Sequence, residues 1–313
     1  MKILLTHATG FLGSYLLEEL SRQDLKIKAA TRPEAPIQEM ESDFLIDGLD
    51  LESIRLNLLN FQEVLEAVHD VQIIFHLDQI EAWEEPKKKH RQAKEKEIWH
   101  NLAKACGRFP VEKIIVTGQA DSLELNEQGY LIAERSSKKI PRKRRPLANP
   151  LEEEWEKSLK AGLPLLRVYP ANLVGARERQ RTPLGLYLKK LLKTKKAPYV
   201  DSGLSLIRAA DAAKGLVLVA KRGEVGKRYP LVQHNLYFLA FLQGLEKMLR
   251  QPLKKIGLPF WLAKLRGAME PTFLKSLQRG LMMEESTSKN LSLPKGDLWK
   301  ALAEQISAYG KIM

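Results

Sequence analysis

The chemistry-bearing residues nearest the start of the chain are Thr6-His7-Ala8-Thr9-Gly10-Phe11-Leu12-Gly13. They follow a short apolar run, KILL, and precede apolar residues at helical spacing. A strand, a glycine turn and a helix together make an anion site. The helix N-terminus supplies backbone N–H groups without intrahelical partners and the positive end of the dipole. Three positions stand at GxxGxxG spacing: His7, Gly10 and Gly13. In a dinucleotide-binding turn they have separate duties: the tight turn, close backbone approach to the pyrophosphate, and helix–strand packing. Gly10 and Gly13 can perform two of these. His7 brings a side chain to the first. Histidine tolerates unusual backbone angles better than most residues. Its imidazole can donate a hydrogen bond to a pyrophosphate or fill the pocket, and both readings stay open here.

Other reactive groups are few. Cys106 is the single cysteine, so no intramolecular disulfide or cysteine metal cluster can form. It reads as a small buried side chain near a helix end. Lysine and arginine outnumber acids 51 to 38, a formal net charge of +13 that favours polyanions without specifying a fold. Seven of the twelve residues 135–146 are basic, and two further runs are KKKHR at 87–91 and KKLLKTKK at 189–196. These are solvated surface or anion sites for nucleic-acid phosphate, a phosphorylated metabolite or anionic lipid. No aromatics interleave them, which argues against single-strand stacking. No apolar run approaches a membrane span and the N-terminus carries no secretory pattern, so a cytoplasmic location is expected.

The elements that must position these residues alternate. Strands are expected at 2–6, 25–32, 53–56, 71–77, 112–118 and 163–169. Helices are expected at 11–22, 60–70, 91–106 and 150–161. The last is signalled by Asn149 as N-cap, Pro150 at the first helical position and Glu152 in capping-box position. Alternation through residue 170 implies a parallel sheet covered on both faces. Beyond 176 helical patterns dominate, at 183–194, 209–221, 235–250, 258–280 and 295–309. The fold class read is therefore α/β, a Rossmann-like doubly wound parallel sheet with a smaller, mostly helical C-terminal subdomain. The boundary is placed at 175/176, with segment 199–232 interleaved with the sheet. Phe260, Trp261, Met282 and Met283 read as core or lid packing.

In order along nearly the whole chain, MKILLTHATGFLGSYLLEEL, AATRPEA, IIFHLDQ, EKIIVTG, GLPLLRVYPANLVG, IRAADAAKGLVLVAKRGEVGKRYPLV and LPFWLAKL resemble segments of the extended short-chain dehydrogenase/reductases. These form the NAD-dependent epimerase/dehydratase group. The resemblance implies cofactor contacts at His7, Gly10, Phe11, Leu12, Gly13, Arg32, Asn57, Leu58, His76 and Leu77. An acid ending the second strand would bind the ribose hydroxyls of NAD. Here the strand ends Ala30-Thr31-Arg32, and Arg32 suits a 2′-phosphate, so NADP(H) is expected over NAD(H). Asn57 stands where the family often has Asp. Asp78 and Gln79 replace small residues along the cofactor wall. His76 matches a family position and reads as a buried, hydrogen-bonded strand histidine.

The resemblance also implies a tyrosine that moves the substrate proton, a lysine four residues later that lowers its pKa, and an orienting serine or threonine. None of the eight tyrosines has a lysine four residues on. Anchored on Pro150, the two slots fall on Leu151 and Trp155. Anchored on the glutamates, they fall on Arg144 and Ala148, or on Arg145 and Asn149. Thr117 and Tyr169 are weak substitutes. The reading is an NAD(P)-binding protein without the Tyr/Lys chemistry, a sensor or scaffold taking a dinucleotide and an unknown small molecule, with a homodimer allowed. The alternatives are an active NADP-dependent oxidoreductase or epimerase with relocated acid–base groups, and a polyanion- or nucleic-acid-binding protein acting through loop 135–146.

Overall fold

The structure, a computed structural model, describes residues 1–33, 51–77, 87–133, 149–178, 182–277 and 282–312. The basic loop 135–146, which includes Arg144 and Arg145, lies outside these residues, as do Ala148, Asp78 and Gln79. In chain order the elements are β1 (Lys2–Leu5), α1 (Phe11–Ser21), β2 (Lys26–Thr31), β3 (Leu51–Arg55), α2 (Phe61–Val68), β4 (Ile73–His76), α3 (Lys88–Cys106) and β5 (Lys113–Thr117). Then come β6 (Glu124–Leu125), β7 (Tyr130–Ile132), α4 (Pro150–Lys160), β8 (Leu165–Pro170), β9 (Asn172–Val174), α5 (Pro183–Thr194), β10 (Lys196–Tyr199) and β11 (Gly203–Arg208). The rest are α6 (Ala209–Arg222), β12 (Arg228–Leu231), β13 (His234–Tyr237), α7 (Phe238–Leu249), β14 (Lys254–Gly257), α8 (Phe260–Leu265), α9 (Pro271–Leu277), β15 (Met282–Met283), α10 (Ser286–Asn290) and α11 (Leu298–Ile312).

Two compact units divide the chain: residues 1–118, 148–168 and 213–229 in one, 119–147, 169–212 and 230–313 in the other. The first is organised by a seven-stranded sheet of order β12-β8-β5-β4-β1-β2-β3. The pairings from β3 through β2, β1, β4 and β5 to β8 are parallel. Its central strands are short apolar runs such as KILL and IIFH, as a sheet covered by helices requires, while the edge strand β3, LESIR, is largely exposed or half-buried. Caps set the helix starts. Asn60 Oδ1 accepts from the Gln62 N–H (3.1 Å) and Asn149 Oδ1 from the Leu151 N–H (3.0 Å), with Pro150 in the first turn. The core beneath α2, α3 and α4 includes Leu4, Ile74, Trp99, Leu102, Cys106 and Trp155. Cys106 is buried as expected, and burial pushes its thiol up to about 12.

The second unit mixes helices with short strands that hydropathy did not signal. β11 pairs parallel with β9 and antiparallel with β13; β14 joins β10 in a parallel pair; β7 pairs antiparallel with β6 and parallel with β15. Three readings change. The helix expected from 235 begins at Phe238, because His234–Tyr237 is a strand against Gly203–Leu206 whose Asn235 side chain bonds Ser205. The Pro-punctuated helical stretch expected over 258–280 resolves into Phe260–Leu265 and Pro271–Leu277, with Gly267 at φ +53° between them. Trp261, expected in packing, is 69% exposed, while Met283 is buried and Phe260 packs partly against this unit's core. α5 runs over 183–194 as expected: Thr182 Oγ1 accepts from the Gly185 N–H (3.0 Å) and left-handed Lys195 ends the helix.

Candidate functional site

The strand order reverses between β1 and β4, so the crevice beyond their carboxyl ends is where an open α/β sheet binds a ligand. The chain there is pinned by its own polar groups. The Thr6 N–H donates to the Phe75 carbonyl (3.0 Å) and the Ala8 N–H to the Ala30 carbonyl (3.0 Å), which ties the turn to β4 and β2. The Thr6 hydroxyl accepts from the Leu77 N–H (3.2 Å) and lies 3.1 Å from His76 Nδ1. His76 is buried, as its sequence position implied, and holds the strand ends together.

His7 takes the left-handed conformation, φ 54°, that a glycine would adopt there without strain. Its ring folds back over Gly10. A Cβ on Gly10 would lie 2.0 Å from His7 Cδ2 and 2.4 Å from Nε2. A Cβ on Gly13 would lie 2.1 Å from the His7 carbonyl oxygen, so the helix rests directly on the turn's backbone. Each glycine therefore has a local steric reason, and the one for Gly10 is the imidazole. Gly10 is the N-cap of α1 and makes no side-chain cap bond; the first backbone bond of the helix runs from the Ser14 N–H to the Gly10 carbonyl (2.8 Å). The amides of Phe11, Leu12 and Gly13 come before that bond. They are the first amides of an 11-residue helix whose N-cap is a glycine and so supplies no side-chain cap, an arrangement that suits a phosphate. The Phe11 ring is buried and edges onto Tyr15 at 6.1 Å, so Phe11 offers a ligand its backbone alone.

Arg32 follows β2 directly and is partly exposed, with Thr31 and Pro33 as its neutral neighbours. Asn57 builds the turn after β3. Its Oδ1 accepts from the Leu59 N–H (3.1 Å), and its own N–H donates to Glu63 Oε2 (2.8 Å). Leu58 is a core side chain whose carbonyl accepts from Asn101 Nδ2 (3.1 Å). Leu77 is buried at the end of β4. Among the described residues, no group of three or more His, Cys, Asp or Glu could hold a metal ion.

The positions where the family's acid–base pair would fall are occupied structurally. Asn149 caps α4, Leu151 packs against the core, and Trp155 is 2% exposed and meets Trp99 edge-on at 6.2 Å. Thr117 ends β5 opposite Val168 and is buried. Tyr169 has no exposed surface at all.

Two buried polar clusters were not read from the sequence. In the first unit Arg167 Nη1 meets Glu156 Oε1 (2.5 Å), and Arg228 Nη2 meets Glu152 Oε2 (3.1 Å). Glu152, read only as a cap residue, is thus one side of a buried ion pair. An arginine inside the apolar run LPLLRVY was its signal, since a buried charge must have a partner. In the second unit the hydroxyls of Thr182 and Tyr309 donate to Glu178, and Gln305 Nε2 donates to Glu178 Oε2 (2.7 Å). Gly185 leaves the space, for a Cβ there would lie 2.0 Å from Glu178 Oε1. Burial and the adjacent Glu178 push the Tyr309 hydroxyl far up.

Comparison with known proteins agrees with this geometry. Residues 3–132 match the model of the "NAD dependent epimerase/dehydratase family". A protein of Synechocystis sp. named "Putative dihydroflavonol 4-reductase" is 23% identical over 96% of this chain and 92% of its own. Among solved structures, a nucleoside-diphosphate-sugar epimerase from Pseudomonas aeruginosa superposes with a TM-score of 0.79 at 18% identity, covering 100% of this chain and 98% of that one. UDP-glucuronic acid 4-epimerase from Bacillus cereus, in complex with NAD, gives 0.77 at 17% identity over 100% and 97%. At these identities the superpositions establish the fold. No helix among the described residues is long and apolar enough to cross a membrane.

Proposed function

We propose that this chain, whose residues 3–132 match the NAD dependent epimerase/dehydratase family, is a member of that family that binds a nicotinamide dinucleotide at the β1–α1 turn and does not perform its Tyr/Lys chemistry. The observation that supports the first half is the glycine-capped N-terminus of α1 at the β1/β4 reversal, where Gly10 and Gly13 let the helix lie close against His7. The amides of Phe11, Leu12 and Gly13 would hold the pyrophosphate. Arg32 would meet a 2′-phosphate, which favours NADP(H). The imidazole of His7 stands over Gly10, and a pyrophosphate seated on the first amides of the helix would have to displace it, at a cost in affinity. When bound, the dinucleotide supplies hydride-transfer capacity. Among the described residues the family's position offers no matching proton relay, for Leu151 and Trp155 serve packing and Asn149 serves as a cap. A role as a dinucleotide-responsive sensor or scaffold follows.

The test is titration of the purified protein with NADPH and NADH, followed by nicotinamide fluorescence and by calorimetry. Micromolar binding, tighter for NADPH, is the expected result. Absence of binding to either at millimolar concentration overturns it. Steady turnover of carbonyl or sugar-nucleotide substrates would refute the second half and return attention to Thr117.

A further inference from the structure

The second unit carries a surface that the dinucleotide reading does not use. Helix α8 buries Ala263 completely and turns Trp261 and Leu265 outward, 69% and 77% exposed. They stand four residues apart, on one face of one helical turn. Leu265 is the most exposed and Trp261 the next among the large hydrophobic residues described. Exposed Lys264 and Arg266 flank them.

The neighbouring elements share one sign of charge. The Lys190 ammonium bonds the Gly267 and Ala268 carbonyls just past α8 (3.4 and 3.5 Å). The Leu258 N–H, just before α8, donates to the Tyr199 carbonyl (2.9 Å). β10 and β14 pair with Lys196 opposite Lys254 and Ala197 opposite Lys255. Segments 189–199 and 246–266 together hold eleven lysines and arginines and one acid, Glu246. That acid is engaged by Lys255 Nζ (2.5 Å) and the Leu253 N–H (2.7 Å).

We propose that this face docks onto an anionic lipid bilayer, with Trp261 and Leu265 entering the headgroup boundary and the surrounding lysines and arginines drawing the protein to the surface. An exposed tryptophan and leucine gain from leaving water, and an indole suits the interface because one end is apolar and one polar. The cations supply charge complementarity to the negative leaflet. A second copy of the chain would bring the same charges against these and be repelled. Nucleic acid would use the cations and the indole but has no use for Leu265.

The test uses the full-length protein in flotation with vesicles of phosphatidylcholine alone and of phosphatidylcholine with phosphatidylglycerol in equal parts, at physiological salt. Flotation with the anionic vesicles alone is expected, weakened about tenfold or more by W261S/L265S. Brominated lipid should quench wild-type tryptophan fluorescence and lose most of that effect with W261F, a readout that survives if the double variant folds poorly. Three results would overturn the proposal: no flotation with anionic vesicles, flotation unchanged by W261S/L265S together with unchanged quenching in W261F, or single-stranded DNA competing the protein fully off the vesicles while binding itself depends on Trp261 alone.

Discussion

Adding one methyl group at Gly10 or at Gly13 should have different consequences, because the two glycines face different atoms of the same residue. At Gly10 the new Cβ would meet the His7 ring at 2.0 and 2.4 Å, the end of a side chain that can rotate away. The backbone there, φ −67° and ψ 168°, accepts alanine without strain. Displacing the packed ring should cost about 1–2 kcal/mol. At Gly13 the Cβ would meet the His7 carbonyl oxygen at 2.1 Å, so backbone must shift. Overpacking of about 3 kcal/mol there, less about 1 kcal/mol gained in helix propensity, leaves about 2 kcal/mol of destabilisation. His7→Gly separates the two. Alone it removes left-handed strain and adds unfolded-chain entropy, two effects of about 1 kcal/mol and opposite sign. In that background Gly10→Ala should become nearly neutral, a coupling of about 1–2 kcal/mol, while Gly13→Ala keeps its full cost. Urea unfolding of the five variants measures this. An equal cost of Gly10→Ala with and without the imidazole would refute the placement of the ring. In the same proteins His7→Gly should tighten NADPH binding about fivefold, roughly the 1 kcal/mol spent moving the ring; weaker binding would show the imidazole acting as a donor to the pyrophosphate.

Arg32→Ala should lower NADPH affinity more than NADH affinity, read by the same titration, and an equal loss would remove the 2′-phosphate role. Tyr309→Phe should destabilise the second unit by about 1–3 kcal/mol, because the buried Glu178 carboxylate loses a donor and keeps its burial; urea unfolding measures it. Cys106 gives a pH signature. Its thiol ordinarily titrates near 9.0 and is held protonated to about 12 in the fold, so above pH 9 the native state binds more protons than the unfolded one. Its contribution to stability should be complete below pH 9 and lost progressively up to pH 12, and Cys106→Ala should flatten that decline. At pH 8 iodoacetamide should modify Cys106 only at the rate of unfolding.

The parallel sheet was legible because strands such as KILL, IIFH and KIIVT are short apolar runs between punctuating residues, and Asn149-Pro150 wrote one helix start outright. What escaped reading were elements stabilised from a distance. KAPY and KKIG are too polar and too short to declare themselves strands, and they exist because Lys196–Tyr199 pairs with Lys254–Gly257, more than fifty residues on. Glu152 shows the same limit at a single side chain: local spacing made it a cap, while the fold supplied Arg228 from 76 residues away. The candidate site divides along that line too. The β1–α1 turn is contiguous in sequence, so His7, Gly10 and Gly13 are read from it directly, and the fold adds only where the imidazole lies. An acid–base pair depends on a helix face, and α4 presents there a tryptophan packed on Trp99 and an asparagine spent on capping. Restoring a tyrosine at 151 and a lysine at 155 would therefore replace a core contact with a buried cation beside Trp99, a change the fold would resist before any chemistry began.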